Sequence, residues 1–241
     1  FAVAPWNTRR GAFNIYRVDV VSNESGADHT EQDPPLLVDT ALGAAYGCYG
    51  LARLICVDEA TVQNIASTVA AYDAVLVIVN DATYGGSGGT VTVASTNYFS
   101  TEIVLHEFGH SFGLLADEYE DPYPGYPEGD WEPNVSYAYD FDRDKIKWGP
   151  WISPITPLPT PEGAGYEEDV GMFEGARYRP TGIYRPREDC RMRTLGTPFC
   201  EICTEAQALR LYALTALFDE ATPTAGTIVP YADGLSITLR T

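Results

Sequence analysis

The chain has 241 residues, and 45% of them are hydrophobic, which is enough to bury the core of one large domain or two small ones. Its formal net charge of -19 argues against a nucleic-acid partner, because a phosphate backbone would be repelled and no Lys/Arg cluster offers a local exception. No apolar run approaches the ~20 residues that a membrane-spanning helix needs.

The acidic surplus favours solubility but creates repulsion within the folded chain, which bound cations would relieve. Two runs of carboxylates, in residues 117–121 and 167–169, are candidate calcium sites. Solvated acidic loops explain the same runs, so calcium has no independent support as a cofactor.

The five cysteines fit an exported protein with one or two disulfides. Cys48 and Cys56 would close a short loop, and we expect Cys190 to pair with Cys200 or Cys203. The spacing of Cys200 and Cys203 also occurs in zinc knuckles and redox pairs, but no second pair and no neighbouring histidine completes a structural metal site. The first residues lack a basic segment followed by an apolar stretch, so we expect a secreted or cell-surface protein whose signal peptide has been removed.

In chain order, the first predicted elements indicate an α/β beginning. Residues 13–21 alternate in part between apolar and polar and are predicted as a strand that leads into the polar loop 22–35. Asp58 is expected to cap a helix over residues 59–72, where apolar residues recur at helical spacing. The continuous apolar run 74–79 predicts a central strand that is buried on both faces.

A glycine-rich turn follows, with glycines at 85, 86, 88 and 89. It lacks the Lys-Ser/Thr ending of a phosphate-binding loop and leads into a predicted strand over residues 90–95, so we expect a hairpin. Ser100 or Thr101 is then expected to cap a helix that carries His106 and His110.

Residues 120–189 are rich in proline, glycine, tyrosine and acidic residues, which predicts a long irregular lobe. Three tryptophans are expected to pack this lobe onto the rest of the protein: Trp131, Trp148 and Trp151. A final helix is predicted over residues 199–218. Its expected core-facing residues are Ala206, Leu209, Ala213, Leu214 and Leu217.

The C-terminal residues predict a separate β element. Asp233 and Gly234 form a turn signal between the apolar runs 228–229 and 235–239, which indicates a terminal hairpin or the start of a truncated module. We therefore expect a catalytic domain over residues 1–218 and a β extension or truncated module over residues 219–241.

Residues 106–110, His-Glu-Phe-Gly-His, carry the clearest chemical signal. Residues four apart lie on one helix face, so His106 and His110 can approach one metal ion while Glu107 projects beside them. Two imidazoles, a carboxylate and a water suit Zn²⁺, which lowers the pKa of that water. Glu107 would take the proton of the water during attack on a peptide carbonyl and later deliver it to the leaving amine.

The third ligand has several candidates. His29 is the remaining histidine, but its polar neighbours predict an exposed loop position. A straight helix would carry residue 117 ~10 Å beyond His110, so the chain must bend, and Gly113 can end the helix in the left-handed conformation. A carboxylate after this bend would complete the site, with Asp117 favoured and Glu118 as the alternative.

The motif belongs to a longer resemblance. Residues 106–119 are similar to the metzincin signature, in which the helix turns at a glycine and a nearby residue supplies the third ligand. Together with residues 13–19, 22–26 and 190–193, they resemble the IgA-peptidase family M64, over about residues 13–212. Ala116 stands where the third histidine of metzincins usually lies, one position before Asp117.

This resemblance implies a metzincin-like zincin fold with a mixed twisted sheet, one catalytic zinc and endopeptidase activity on proteins or peptides, including glycoproteins. It also places a methionine turn beneath the metal, for which Met192 is the best match and Met172 the other candidate. Tyr178 and Tyr184 are candidate oxyanion donors, although structural roles are the more common use of sixteen tyrosines.

Two other functions fit the same residues. The aromatic, Pro-rich lobe suggests a non-catalytic module that binds a surface or a glycoprotein on a zincin scaffold. A metal-dependent amidase acting on non-protein substrates would keep the site and change the pocket. The sequence identifies neither the substrate nor the oligomeric state.

Overall fold

A computed structural model describes residues 2–137 and 140–215, together with the backbone of residues 220–222 and 238–240. Over these residues the protein is a mixed α+β structure in which no helix is both long and apolar enough to cross a bilayer. The helices are α1 (Glu59–Ser67), α2 (Ser100–Ser111) and α3 (Glu201–Leu214). The strands are β1 (Ala45–Tyr46), β2 (Ile55–Cys56), β3 (Leu76–Val79), β4 (Gly86–Ser87), β5 (Thr92–Ser95), β6 (Phe173–Ala176), β7 (Arg179–Arg185), β8 (Glu220–Thr222) and β9 (Thr238–Arg240).

The sheet nearest to α2 has the order β3-β5-β4. β5 runs parallel to β3 and antiparallel to β4, so the predicted hairpin at the glycines is confirmed. The prediction that residues 74–79 form a central strand buried on both faces is wrong, since β3 is an edge strand. Val77 and Val79 join a core cluster that includes α1, whereas Leu76 and Ile78 on the other face are 44% and 53% exposed.

The predicted strand over residues 13–21 is also wrong. This segment forms no strand in the described part of the chain, and its apolar side chains Ile15 and Val21 are exposed. The N-terminal segment is instead anchored before it, where buried Trp6 packs edge-on against Phe108 of α2 and against Phe112, which follows the helix. Partial alternation therefore did not distinguish a strand from an extended surface segment.

α1 begins where the sequence predicts. The Asp58 carboxylate accepts a hydrogen bond from the Thr61 N–H at 3.1 Å, which confirms the cap. The helix ends at Ser67 rather than residue 72. The hydroxyls of Ser67 and Thr68 donate to carbonyls of the last turn, an interaction that favours helix termination.

α2 starts at Ser100 without the predicted cap by Ser100 or Thr101. Phe99 occupies the cap position, and its N–H donates to the side-chain oxygen of Asn97 at 3.0 Å. The turn before the helix is therefore stabilised by Asn97, whose side chain bonds backbone two residues ahead as asparagine often does in turns.

The bend after α2 involves two neighbouring residues in different ways. Leu114, not Gly113, has the positive φ of 54°, and the Leu115 N–H reaches back to the Gly109 carbonyl. Gly113 is required by packing instead, because a Cβ there would lie 2.7 Å from Gln207 Cγ of α3 and from the Gly109 oxygen. The predicted bend is present, but the left-handed residue follows the glycine.

The irregular lobe contains one element that the sequence did not reveal, the antiparallel pair of β6 and β7. Its two-residue turn, Arg177 and Tyr178, has φ values of 49° and 58°, which places both residues in the left-handed region. Of the three tryptophans, Trp148 is buried and donates from Nε1 to the Gly171 carbonyl, while Trp131 and Trp151 are exposed. Trp148 and Trp151 nevertheless attach the lobe to α3 as expected, since Trp148 packs in one core cluster with Ile202 and Trp151 Nε1 donates to Glu205 at 3.0 Å. The expectation is wrong for Trp131, whose ring lies against the Arg177 guanidinium of the lobe itself.

α3 begins two residues after the predicted start, with Cys200 at its cap position. The buried residues are Ile202, Cys203, Gln207, Ala208 and Leu211. The predicted face is right in part: Ala206 and Leu214 are partly buried against core clusters, whereas Leu209 is 60% exposed and Ala213 is exposed. Leu217 lies outside the described residues. The buried face differs from the face that the apolar residues alone predict, because Cys203 and Gln207 occupy core positions.

Three further predictions have definite outcomes. The Cys48–Cys56 disulfide is confirmed. The predicted pairing of Cys190 is not present, since Cys190, Cys200 and Cys203 are free. His29 is buried rather than exposed: it stacks on Tyr46, and its ring nitrogens lie within hydrogen-bond distance of Glu31 and Asp81.

At the C-terminus, β8 pairs antiparallel with β9. The predicted turn at Asp233 and Gly234 and the run 228–229 lie outside the described residues. The division into a domain over residues 1–218 and an extension therefore stays a prediction.

Candidate metal centre

The structure brings the three predicted ligands together. Nε2 of His106 lies 3.2 Å from Nε2 of His110, and Asp117 Oδ1 lies 3.1 Å and 3.2 Å from these two nitrogens. The four-residue spacing places both histidines on one face of α2. The bend at Leu114 returns Asp117 to this face, so residues that a straight helix would separate form one cluster.

Hydrogen bonds fix the orientation of both imidazoles. Nδ1 of His106 donates to the Arg191 carbonyl at 2.9 Å, and Nδ1 of His110 donates to the Leu115 carbonyl at 2.7 Å. A carbonyl oxygen only accepts, so each Nδ1 carries a proton, and a neutral ring then presents a lone pair at Nε2. Metal-binding histidines are oriented by this kind of bond.

The spacing of the ligand atoms fits a zinc ion. The two imidazole nitrogens and the carboxylate oxygen converge on one point. Zinc bonds of ~2.0 Å in tetrahedral geometry separate neighbouring ligand atoms by about 3.3 Å. The observed separations of 3.1–3.2 Å agree with that value, and two imidazoles with one carboxylate are a zinc-binding donor set.

The electrostatics of the cluster favour a bound cation. Burial lowers the pKa of His110, but the Asp117 carboxylate outweighs it and raises this pKa to about 9. Burial acts to raise the pKa of Asp117, and the two imidazoles nevertheless hold it well below its usual range. Asp117 is therefore ionised, and its negative charge stabilises a positive charge beside the histidines. A bound metal ion would supply this positive charge and would compete with protons for the imidazole nitrogens.

Glu107 lies beside the histidines and is 6% exposed. Burial raises the pKa of its carboxyl group, and the neighbouring histidines only partly offset this. A raised pKa brings a carboxylate closer to the range in which it both accepts and returns a proton near neutral pH.

The backbone of residues 116–119 is held from two sides. The Glu118 N–H donates to the Met192 carbonyl, while the carbonyls of Asp117 and Tyr119 accept from the Arg177 and Tyr178 N–H groups. This alternation is that of a strand between two neighbours, in which successive side chains point to opposite sides. Asp117 accordingly faces the histidines, and Glu118 faces away from them.

Tyr178 holds the free oxygen of Asp117. Its hydroxyl donates to Asp117 Oδ2 at 2.7 Å, and Oδ1 remains directed at the histidines. Burial raises the pKa of Tyr178, and the adjacent carboxylate adds to this, so the hydroxyl keeps its proton. The left-handed conformation of Tyr178 costs about 1–3 kcal/mol and is the kind of strain found at functional sites.

Met192 lies directly beneath α2. A Cβ at Gly109 would lie 2.7 Å from its sulfur, so the glycine allows the methionine to contact the helix between the two histidines. Met172 is also buried, but it belongs to the lobe and its N–H bonds Thr160. Met192 rather than Met172 therefore lies against the helix that carries the two histidines.

The other sequence candidates lie elsewhere. Glu118 accepts from Asn134 at 2.8 Å, and its carboxylate lies beside Cys203. The Tyr184 hydroxyl bonds Glu174, so Tyr184 is not placed at the centre. Among the described residues, the acidic runs form no calcium cluster, because Glu120 pairs with Arg193 and Glu168 with Arg187.

Two residues near the centre were not predicted. The Tyr119 hydroxyl lies 3.5 Å from His106 Nε2, and the Arg53 guanidinium stacks over the Tyr119 ring. Arg53 lies between β1 and β2, far from the motif in sequence, and no local pattern marks it. The carbonyls that orient the histidines carry no sequence signal either.

Gly88 provides a specific packing test. A Cβ there would lie 2.6 Å from His110 Cβ and 2.8 Å from the Glu107 carbonyl, whereas a Cβ at Gly89 would meet nothing within 4 Å. We expect Gly88→Ala to lower the free energy of unfolding by about 1–3 kcal/mol and to weaken zinc binding, because α2 must shift. Urea unfolding and zinc titration measure both effects. Gly89→Ala is the matched control, and equal behaviour of the two variants would contradict the close approach.

An α+β fold that gathers two histidines and a carboxylate beside a buried glutamate has the site composition of a metallopeptidase. The model of the family described as IgA Peptidase M64 matches residues 1–168 and 162–210, and the chain belongs to this family. The protein is therefore a peptidase, whose substrates are proteins. No curated protein matches the chain.

Proposed function

We propose that the protein is a secreted zinc-dependent endopeptidase with a metzincin-like catalytic domain over residues 1–218. His106, His110 and Asp117 would hold the zinc, and Glu107 would act as general base and acid. The observation that carries this proposal is the triangle of ligand atoms, 3.1–3.2 Å on each side, formed by two oriented imidazoles and Asp117.

When bound, zinc would supply Lewis-acid activation of a water molecule and of the peptide carbonyl. The Glu107 carboxylate accepts the proton that the attacking water loses and then donates it to the leaving amine, so that no net proton is consumed at Glu107. Its burial supports both roles, because a raised pKa makes the carboxylate a better base and brings the group closer to the pH range in which it also returns the proton. The Arg191 and Leu115 carbonyls keep both imidazoles in the binding orientation throughout.

The metzincin-like assignment is supported by the bend after α2 and by Met192 beneath the helix. Secretion is supported by the Cys48–Cys56 disulfide, since disulfides persist mainly in oxidising compartments. Calcium receives no support from the arrangement of the described carboxylates.

Tyr178→Phe tests how the third ligand is positioned. We expect zinc affinity to fall by about 10–100-fold, the usual effect of losing an outer partner of a metal ligand, because Asp117 Oδ2 loses its donor. Competition with a chromophoric chelator measures the affinity. Tyr184→Phe removes a hydroxyl outside the centre and is expected to leave the affinity unchanged. Equal affinities for Tyr178→Phe and the unmodified protein would contradict the positioning role.

The function itself is tested with a peptide library and mass spectrometry of the products. We expect internal cleavage of peptides that stops on chelation and returns when zinc is added. Full zinc occupancy without cleavage of any peptide would instead favour a binding module. Hydrolysis restricted to amides outside peptides would favour a non-peptidase amidase.

A further inference from the structure

A second cluster of ligand-type side chains lies behind the candidate centre. It consists of Glu118, Cys190, Cys200 and Cys203, all of which are buried. One ligand atom from each lies within 4.8 Å of those of the other three. The sequence showed a Cys-x-x-Cys pair without partners, and the fold supplies the third cysteine and a carboxylate.

The thiols are spaced as metal ligands rather than as a disulfide. Cys190 Sγ lies 3.6 Å from Cys203 Sγ, whereas bonded sulfurs are ~2.0 Å apart. Zinc–sulfur bonds of ~2.3 Å in tetrahedral geometry place the sulfurs about 3.8 Å apart. The Cys200 and Cys203 N–H groups donate to Cys190 Sγ and Cys200 Sγ, which favours negative charge on these sulfurs.

Glu118 gives an independent indication that a ligand is bound here. The residue is fully buried, and Asn134 donates to Oε1. Oε2 has no hydrogen-bond partner among the described residues. A buried carboxylate oxygen without a partner costs several kcal/mol by the usual order of magnitude, and a cation in the cluster would remove that cost.

We propose that Glu118, Cys190, Cys200 and Cys203 bind a second zinc ion with a structural role. Thiolates select zinc over calcium or magnesium, and four protein ligands make a closed site without an open position for substrate. On binding, the protons held by the thiols and by the Glu118 carboxyl group pass to solvent and the metal ion takes their place, so no oxidant or reductant is required.

The second ion would connect the segments that build the first centre. Glu118 follows Asp117 directly, and Cys190 precedes Arg191, whose carbonyl orients His106. Cys200 and Cys203 attach these two segments to the start of α3. Loss of the second ion is therefore expected to weaken zinc binding at the histidines, whereas loss of the histidines leaves the second site intact.

The test uses the full chain, and the protein for metal analysis is purified under reducing conditions. His106→Ala/His110→Ala removes the first centre, and we expect this variant to retain one zinc per chain. Replacing that zinc by cobalt should produce the thiolate-to-cobalt charge-transfer absorption in the near ultraviolet. A further Cys203→Ser substitution should abolish the absorption. Cys48→Ser/Cys56→Ser, which removes the other two cysteines, should leave it in place.

The proposal would be overturned if the His106→Ala/His110→Ala variant held no zinc and showed no thiolate-to-cobalt absorption. A second measurement applies if Cys203→Ser does not fold. In the unmodified protein, Cys190, Cys200 and Cys203 should resist alkylation until a chelator is added. Equal alkylation rates with and without chelator, or a disulfide from Cys190 in a non-reduced peptide map, would also overturn it. These measurements need no peptidase activity. They therefore test the second zinc site independently of the proposed endopeptidase function.

Discussion

Glu107→Gln is expected to lower kcat by at least about 10²–10⁴-fold, the usual contribution of a positioned general base, while the zinc content stays unchanged. The substitution keeps the size of the side chain but removes its capacity to accept and return a proton. Glu107 contributes no atom to the ligand triangle, so His106, His110 and Asp117 retain their contacts. Peptide cleavage rates and metal analysis of the same preparation separate the two effects.

Glu59→Gln is the matched control for this variant. Glu59 is exposed in the first turn of α1, so the same chemical change there should leave cleavage and zinc content as in the unmodified protein. Cleavage by Glu107→Gln at the rate of the control would contradict the general-base role. If Glu107→Gln lost its zinc, the side chain would be needed for metal binding, and the loss of cleavage would no longer be evidence for a general base.

Asp117→Asn is expected to lower zinc affinity by more than the ~10–100-fold that the loss of an outer-shell partner costs, with a parallel loss of cleavage. The amide has nearly the same shape, but it removes the charge that offsets the metal cation in a buried position. Zinc competition and cleavage assays on one preparation give both quantities. Asp121→Asn, at an exposed carboxylate nearby, is expected to change neither.

Glu118→Gln distinguishes the two carboxylates that the sequence left as alternatives. It should affect the cysteine cluster first, whereas Asp117→Asn should affect the histidine centre directly. If Asp117→Asn kept the zinc affinity of the unmodified protein and Glu118→Gln lost the histidine-bound metal, the third ligand would be Glu118.

Local sequence signals were sufficient where structure depends on neighbouring residues. The Asp58 cap, the hairpin at Gly86 and Gly88 and the helix that carries His106 and His110 were all predicted. In each case a short-range rule applies, such as a side-chain cap, a glycine-rich turn or the spacing of a helix face. The pairing of two histidines on one face follows from the helix alone.

The remaining features depend on contacts between distant segments. Asp117 reaches the histidines because Leu114 turns the chain and because Met192 and the β6–β7 turn hold residues 117–119 from opposite sides. Nothing near Asp117 in sequence reveals these partners, so the choice between Asp117 and Glu118 stayed open.

The burial errors have a similar origin. The apolar composition of β3 did not show that one of its faces is exposed to solvent. The cysteines of α3 obscured which of its faces is buried. For β3 the exposed face depends on its edge position in the sheet, and for α3 the segments that pack against it are remote in sequence, so periodicity alone predicts neither.

The most direct test of the zinc assignment is anomalous X-ray scattering from crystals of the zinc-loaded protein, recorded on both sides of the zinc absorption edge. We predict a peak about 2.0–2.2 Å from Nε2 of His106, Nε2 of His110 and Oδ1 of Asp117. Zinc-loaded crystals with no peak between these three atoms, or with the imidazoles turned to separate places, would contradict the assignment.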